Sequence, residues 1–298
     1  MKKDIAASVR ARLLAIAKAE NTDFNQILVR FALERILYRL SQSQYAGHFI
    51  LKGALLFNLW YDMPHRATRD ADLLGFGPSD LDSLIQTFRD IASIRVADGI
   101  IFDPTTISIE EIRKEAGYTG ARILIMGEVA KARCKTQIDI GFGDAVTPEP
   151  MQVMYPVLIE DFPAPQLRIY PVYTVIAEKL HAIALLGMTN SRLKDYLDLW
   201  ILLSREVLEA STLAQAIAAT FERRGMIVPT QLPIGLTDEF ANDPSRQVIW
   251  LSFLKKNQLA VTPLSTVVVS LRTALEPALM QAAARIKATI LDAVQTAS

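Results

Sequence analysis

The stretch Asp70-Ala71-Asp72-Leu73-Leu74 constrains this chain more than any other. It reads as a β-strand closed by Gly75-Phe76-Gly77-Pro78. In a strand, residues i and i+2 face the same way, about 6.5–7 Å apart. Two carboxylates then stand side by side on an otherwise apolar strand, where they repel and each resists desolvation. The arrangement becomes favourable if a divalent cation sits between them. Asp-x-Asp pairs also occur as caps and turn residues, which is the plain alternative. A third carboxylate, Asp139, stands alone in Gln137-Ile138-Asp139-Ile140, a second apolar strand. If the two strands are neighbours, their spacing of about 4.8 Å lets Asp139 join the pair. Three aspartates without His or Cys form an oxygen-ligand set that suits Mg²⁺ or Mn²⁺ better than zinc. Two such ions can clamp the attacking and leaving oxygens of an in-line phosphoryl displacement.

The rest of the chain has two textures. Residues 4–19 and 24–41 read as amphipathic helices, with Ile27, Leu28, Phe31, Leu33, Ile36 and Leu37 recurring at spacings of three and four. Thr22 or Asp23 serves as the second N-cap. A short strand over 48–51 ends at Lys52-Gly53, and a helix follows over 54–60. Ser79 is expected to cap a helix of 17 residues, 79–95, with Asp82 in the capping-box position. Strands are expected at 106–112, 120–128 and 133–142, the last two joined by a short basic turn. From about 145 the prolines at 148, 150, 156, 163, 165 and 171 mark a connector with at most brief strands. Helices follow at 172–187, 191–204, 210–224, 244–257 and 263–296, the last broken near Pro277. The expectation is an α/β (α+β) domain over 1–150 that includes the N-terminal helices, then a mainly helical domain over 151–298.

Composition narrows the class. With 298 residues, 51% of them apolar, the chain has material for a large packed core, and disorder is excluded. One cysteine, Cys134, excludes an intrachain disulfide framework and a cysteine-built zinc site, and His48, His65 and His181 are scattered. No run of 18 apolar residues and no signal-peptide pattern are evident, so a soluble cytoplasmic protein with no membrane partner is expected. The formal charge is zero, 32 basic against 32 acidic residues. That total conceals a segment, 1–48, with twice as many basic as acidic side chains, and an acidic segment over 60–100. A protein that holds a cation and binds phosphates needs both signs, kept apart, so zero net charge excludes little.

Leu51-Lys52-Gly53-Ala54 lies at a strand-to-helix junction, 17 residues before Asp70. A glycine there lets a phosphate approach backbone N–H groups at a helix start. The alternative is a plain turn glycine. Together, Gly53-Ala54, Asp70-Ala71-Asp72 and Ile138-Asp139-Ile140 resemble the nucleotidyltransferase superfamily of the DNA polymerase β type, with its glycine–small loop, Asp-h-Asp strand and later h-Asp-h strand (h, hydrophobic). More closely, the chain is similar to the AbiEii/AbiGii nucleotidyltransferase toxins, which include the mycobacterial MenT enzymes. Four stretches carry the likeness: Phe49-Ile50-Leu51-Lys52-Gly53-Ala54-Leu55-Leu56, Arg66-x-Thr68-x-Asp70-x-Asp72, Ala177-Glu178-Lys179-Leu180, and Arg192-Leu193-Lys194-Asp195-Tyr196-Leu197-Asp198-Leu199. Two positions depart from the family. Ala54 stands where Gly or Ser is usual, which removes one possible phosphate contact, and Thr68 stands where serine is common.

The resemblance implies a polymerase-β-like core with N-terminal helices and a C-terminal helical domain. It implies transfer of NMP from an NTP to an acceptor hydroxyl, with Asp70, Asp72 and Asp139 holding Mg²⁺ or Mn²⁺. Asp139 would also assist deprotonation of the acceptor. Lys52, Gly53, Ala54, Arg66 and Thr68 would lie at the nucleotide. Lys179 and Asp195 become active-site members from the helical domain. On the residues alone, Lys179 is equally a snorkelling lysine among Ile176, Leu180 and Ile183, and Arg192, Asp195 and Asp198 an intrahelical ion-pair run. The resemblance further implies a type IV, AbiE-like toxin–antitoxin system with a cognate DNA-binding antitoxin. In some relatives the acceptor is the tRNA 3′ end, for which the basic excess of 1–48 is a candidate surface. A small-molecule acceptor, a protein acceptor and a non-catalytic NTP-binding protein are the rival readings, the last hinted at only by Ala54.

Overall fold

The computed structural model describes residues 4–61, 68–113 and 119–296. The chain folds as two compact units, one formed by residues 1–143 with 151–170 and the other by 144–150 with 171–298.

In the first unit, α1 (Ile5–Ala19) starts at Asp4, whose side chain accepts from the Ala7 N–H, and α2 (Phe24–Ser41) starts at Asp23, which accepts from the Asn25 N–H. Both are side-chain N-caps, Asp23 one of the two expected for α2 and Asp4 the residue before α1, which starts one position later than expected. Then come β1 (Phe49–Lys52), α3 (Leu56–Trp60), β2 (Asp70–Gly75), α4 (Leu81–Ser93), β3 (Ile101–Arg113), β4 (Thr119–Val129), β5 (Ala132–Phe142), β6 (Met151–Met154) and β7 (Gln166–Ile169). The strands form one mixed sheet in the order β3-β4-β5-β2-β1-β7-β6. β2 runs parallel to β5, and β1 runs parallel to β7; the other neighbours are antiparallel. The α/β class is thus as expected. Alternate positions on the central strands, Ala71, Leu73, Ala121, Ile123, Ile138 and Ile140, are buried and form one apolar face. Asp70, Asp72, Arg122, Gln137 and Asp139 occupy the intervening positions. Helix α2 packs on β5 and β7, and α4 packs on β3.

Helix α2 carries more than an apolar stripe. Arg35 and Arg39 are 0% and 2% exposed, and both converge on Asp98, which is 0% exposed. Arg35 Nε donates to Asp98 Oδ2 at 2.9 Å, while Arg39 donates to both carboxylate oxygens at 2.8 and 3.1 Å. Arg39 also caps the Ile94 and Ile100 carbonyls. Glu34, next to Arg35, accepts from the Leu158 N–H at 2.6 Å, and Arg35 donates to the Pro163 carbonyl. One helical turn thereby fixes two irregular segments against the sheet. Burial raises the Glu34 pKa above the usual carboxylate range, against the lowering effect of the Leu158 N–H and Arg35.

Several expectations are corrected. The helix after β2 is capped by Asp80, which accepts from the Ser83 N–H, and not by Ser79; it ends at Ser93, two residues earlier than expected. β3 begins at Ile101 because residues 101–103 pair with 126–128 across an irregularity in the ladder that contains Pro104. A proline donates no ladder hydrogen bond and is tolerated at such a bulge, so in sequence it reads as a strand end. Residues 151–170 return to the first unit, where β7 pairs with β1 through Leu51↔Ile169 and β6 closes the edge. The proline-rich connector thus holds two brief strands, within the expectation of at most brief ones, and both join the first unit's sheet.

The second unit comprises α5 (Val172–Leu186), α6 (Leu193–Arg205), α7 (Ala210–Arg223), α8 (Asp238–Ala241), α9 (Pro244–Lys256) and α10 (Leu264–Thr296). α5 packs on α6 and α7, and α10 lies across α6 and α7. Tyr196 stacks on Phe240 with ring centroids 5.0 Å apart and donates to the Gly235 carbonyl at 2.8 Å. Helix α10 runs through Pro277 unbroken. Pro277 lies on the exposed side while Leu271, Leu275, Ala278, Leu279 and Ala282 stay buried, so packing on both sides of the proline outweighs one missing hydrogen bond. Among the described residues, Val172–Thr189 alone is apolar and long enough to match a membrane span by composition. It is the core helix of this unit, with Val175, Ile176, Leu180 and Ile183 buried and Glu178 and Lys179 in ion pairs.

Asp98→Ala leaves two buried guanidinium groups without their carboxylate. We expect it to cost about 3–5 kcal/mol in urea unfolding, whereas removal of the exposed Arg12–Asp161 pair by Asp161→Ala should cost less than about 1 kcal/mol.

Candidate active site

The sheet register aligns charged side chains in a row across five strands. Glu110 is paired with Arg122, Arg122 with Asp139, Asp139 with Asp72, and Asp72 with Lys52. Directly opposed residues project to the same face. The structure thus places Asp72 and Asp139 side by side on neighbouring parallel strands, with Asp70 one step along β2 opposite Gln137. Asp70 and Asp72 are half-buried and Asp139 is buried. Thr68 Oγ1 donates to Asp70 Oδ1 at 2.7 Å.

Cations flank the carboxylates at both ends of the row. Arg122 grips Asp139 with two parallel hydrogen bonds, Nε to Oδ1 at 2.9 Å and Nη2 to Oδ2 at 2.8 Å, and Gln137 Nε2 adds a third to Oδ1 at 3.1 Å. The Asp139 bond, followed by the fields of Asp139, Glu110 and Asp70, raises the Arg122 pKa further. At the other end Lys52 is only 6% exposed, with Nζ 3.4 Å from the Tyr170 hydroxyl and 5.0 Å from its ring centre. Carboxylates outnumber cations in this set, and all its donors to a metal would be oxygens. That composition fits a hard divalent cation. Among the described residues, however, no three acidic, His or Cys side chains already converge as a metal cluster. Asp139 is instead turned into the Arg122 fork.

Gly53 explains its own residue type. Its φ is +75°, and a Cβ there would fall onto the Asp72 carboxylate. Only glycine lets the turn after β1 pass this close to Asp72. Gly53 and Ala54 begin the short 3-10 turn, Gly53–Leu55, that leads into α3. Arg66 lies outside the described residues.

Lys179 and Asp195 belong to the second unit and are brought together there. Lys179 Nζ donates to Asp195 Oδ1 at 2.7 Å and to Asp198 Oδ2 at 2.8 Å, so α5 is tied to the start of α6. Arg192 Nε stands 2.8 Å from Asp195 Oδ2 in ion-pair contact, off the hydrogen-bond axis. Both carboxylates are buried, at 1% and 0%. A snorkelling lysine would point its ammonium to water; this one points at two buried anions. A second cluster on α5 was not legible in sequence. Arg224 donates to Asp144 and pairs with Glu178 at 3.2 Å, and its Nη1 is 3.4 Å from His181 Nδ1. Burial, then the Arg224 charge, pushes the His181 pKa down to about 4, so the ring is neutral near pH 7.

The basic excess of residues 1–48 shrinks in three dimensions. Arg35 and Arg39 are buried, Arg12 pairs with Asp161, and Arg30 pairs with Glu20. Of the described cations in that segment, Arg10 and Lys18 lie at the surface outside those pairs. Two of the six described cations in the segment are thus internal, and the other four, Arg10, Arg12, Lys18 and Arg30, remain at the surface, two of them paired with a carboxylate. Arg122, which sequence did not single out, is the main addition to the site. Its only sequence signal is a charge at the start of the apolar run of β4, and its partner is set by register.

The family model for the nucleotidyl transferase AbiEii toxin of type IV toxin–antitoxin systems matches residues 35–285. The chain belongs to this family and is a nucleotidyltransferase. Among solved structures it is similar to JHP933 from Helicobacter pylori, at 17% identity over 91% of this chain and 97% of that one, with a TM-score of 0.48. It is also similar to a candidate nucleotidyltransferase from H. pylori, at 16% identity over 87% and 96% of the two chains, also with a TM-score of 0.48. No curated protein matches the chain.

Two substitutions test these assignments. Gly53→Ala should cost about 1–3 kcal/mol from its left-handed backbone and the Asp72 clash, and should reduce nucleotidyl transfer while circular dichroism still shows a fold. Lys179→Met removes the cation from two buried carboxylates and should lower stability by about 3–5 kcal/mol in chemical unfolding.

Proposed function

We propose that the first unit transfers NMP from an NTP to an acceptor hydroxyl, with Asp70, Asp72 and Asp139 holding Mg²⁺ or Mn²⁺. The observation that carries this reading is the in-register neighbouring of Asp72 and Asp139, with Gly53 packed against Asp72. Two half-buried or buried carboxylates on adjacent strands are unfavourable as a mere structural device. They suit a site that receives positive charge. When bound, a divalent cation would offset the charge that develops on the phosphates and on the attacking and leaving oxygens.

The protein's own residues would do the rest. The turn beginning at Gly53-Ala54 would offer backbone N–H groups to the phosphates. Lys52 would balance Asp72 from within the sheet, and Asp139 would accept the acceptor's proton. Thr68 would orient Asp70 through its hydroxyl. Roles for Arg66, Lys179 and Asp195 in the same reaction are proposed from the family motifs alone. An RNA acceptor, as at a tRNA 3′ end, also rests on the family likeness. The same likeness supports a DNA-binding antitoxin as partner and a cytoplasmic setting, where NTPs are at hand.

The test is incubation with Mg²⁺, each labelled NTP in turn, and separated RNA, protein and small-molecule fractions. Label appearing on RNA supports the proposed acceptor, and label on either other fraction replaces it. NTP binding without transfer to any fraction would overturn the catalytic reading. Asp72→Asn should lower transfer by about 10²–10³-fold or more at unchanged fold, and retained activity would sink the metal assignment.

A further inference from the structure

Both oxygens of Asp139 are already engaged. Oδ1 accepts from Arg122 Nε and Gln137 Nε2, and Oδ2 accepts from Arg122 Nη2, all within 3.1 Å. The pair is bidentate, a strong form of arginine–carboxylate contact. The carboxylate is buried, with 9% of its side chain exposed, while the guanidinium is one-third exposed and has a second anion, Glu110, 3.5 Å from Nη1. Arg122 thus has somewhere else to go, and Asp139 does not. A divalent cation and a guanidinium on one carboxylate repel each other, so occupancy by one disfavours the other.

We infer that Arg122 is a positioning residue that competes with the divalent cation for Asp139, holding that carboxylate out of the acidic set until the cation displaces it toward Glu110. The inference rests on the metal reading above and adds a residue that the family motifs quoted for this chain do not contain. It also accounts for the paradox of the site. Three aspartates stand at neighbouring positions, yet no three acidic groups converge among the described residues. In the cation-free protein, Arg122 supplies the positive partner that the buried Asp139 meets beside Asp72.

The alternative is that Arg122 orients Asp139 as a supporting partner, in which case its loss would weaken cation binding. The two roles have opposite signs, so a binding measurement separates them. Mn²⁺ binding to the full chain is followed by electron paramagnetic resonance and by the Mn²⁺-induced shift of the melting temperature, both in the presence of a non-hydrolysable NTP. Arg122→Gln should lower the half-saturating Mn²⁺ concentration by about fivefold or more, the range of an ordinary coupling between two ligands. It should also melt earlier without Mn²⁺ and gain more from Mn²⁺ than the unaltered protein does. A merely structural arginine would lower the melting point without tightening Mn²⁺ binding.

Arg122→Lys keeps the charge but cannot fork across both oxygens. It should shift binding in the same direction by less, and it provides the measurement if the glutamine variant does not fold. Unchanged or weaker Mn²⁺ binding in the folded variants overturns the competition while leaving the metal site standing. Absence of Mn²⁺ binding to the unaltered protein overturns both the metal reading and this inference.

Discussion

Two carboxylates held side by side on adjacent strands set the terms for the first unit. Asp72 and Asp139 are neighbours by register, and the repulsion between them is unavoidable once β2 and β5 pair in parallel. Everything around them answers that charge. Lys52 and Arg122 occupy the next positions on either side, Glu110 balances Arg122 at the far strand, and Gln137 and Thr68 donate to the aspartates from within the same face. The opposite face of the same strands is aliphatic and buried. One sheet therefore separates its two jobs by the two-residue period of the strand, cohesion on one side and charge on the other.

The zero net charge is a sum over both signs and does not show where the ions sit. A small, mutually paired set of charges is internal: Arg35 and Arg39 with Asp98, Lys179 with Asp195 and Asp198, and the partly buried Arg224 with Asp144 and Glu178. Buried ion pairs contribute little net stability compared with apolar packing, yet removing one partner is costly, so they specify arrangement more than they add stability. Here they fix irregular segments that lack a ladder of their own. The 94–100 and 158–163 segments are held by α2 in the first unit, and residues around 144 by α7's last turn in the second.

Much of the architecture was legible because it follows local rules. The cap at Asp23, the apolar periodicity of α2, the Asp-x-Asp strand and the alternation of β5 each follow from local spacing. The misreadings share a cause as well. At Pro104 and Pro277, proline signals an ending, and tertiary packing carried the strand or helix onward. Ser79 and Asp80 are both good caps, and only the backbone geometry chose Asp80.

The residue types of the site were fixed in the sequence, since Gly53, Asp70, Asp72 and Asp139 each stand out against apolar surroundings. Family membership followed from the order of those motifs. Which side chain meets which was decided only by tertiary structure, because strand register is a long-range property that no local window contains. It was register that put Arg122 onto Asp139 and Lys52 beside Asp72. Burial likewise turned Arg35 and Arg39 from an expected surface into a core. A sequence states how many charges a chain carries; folding decides which of them face water and which face each other, since only the assembled interior sets the cost of leaving one unpaired.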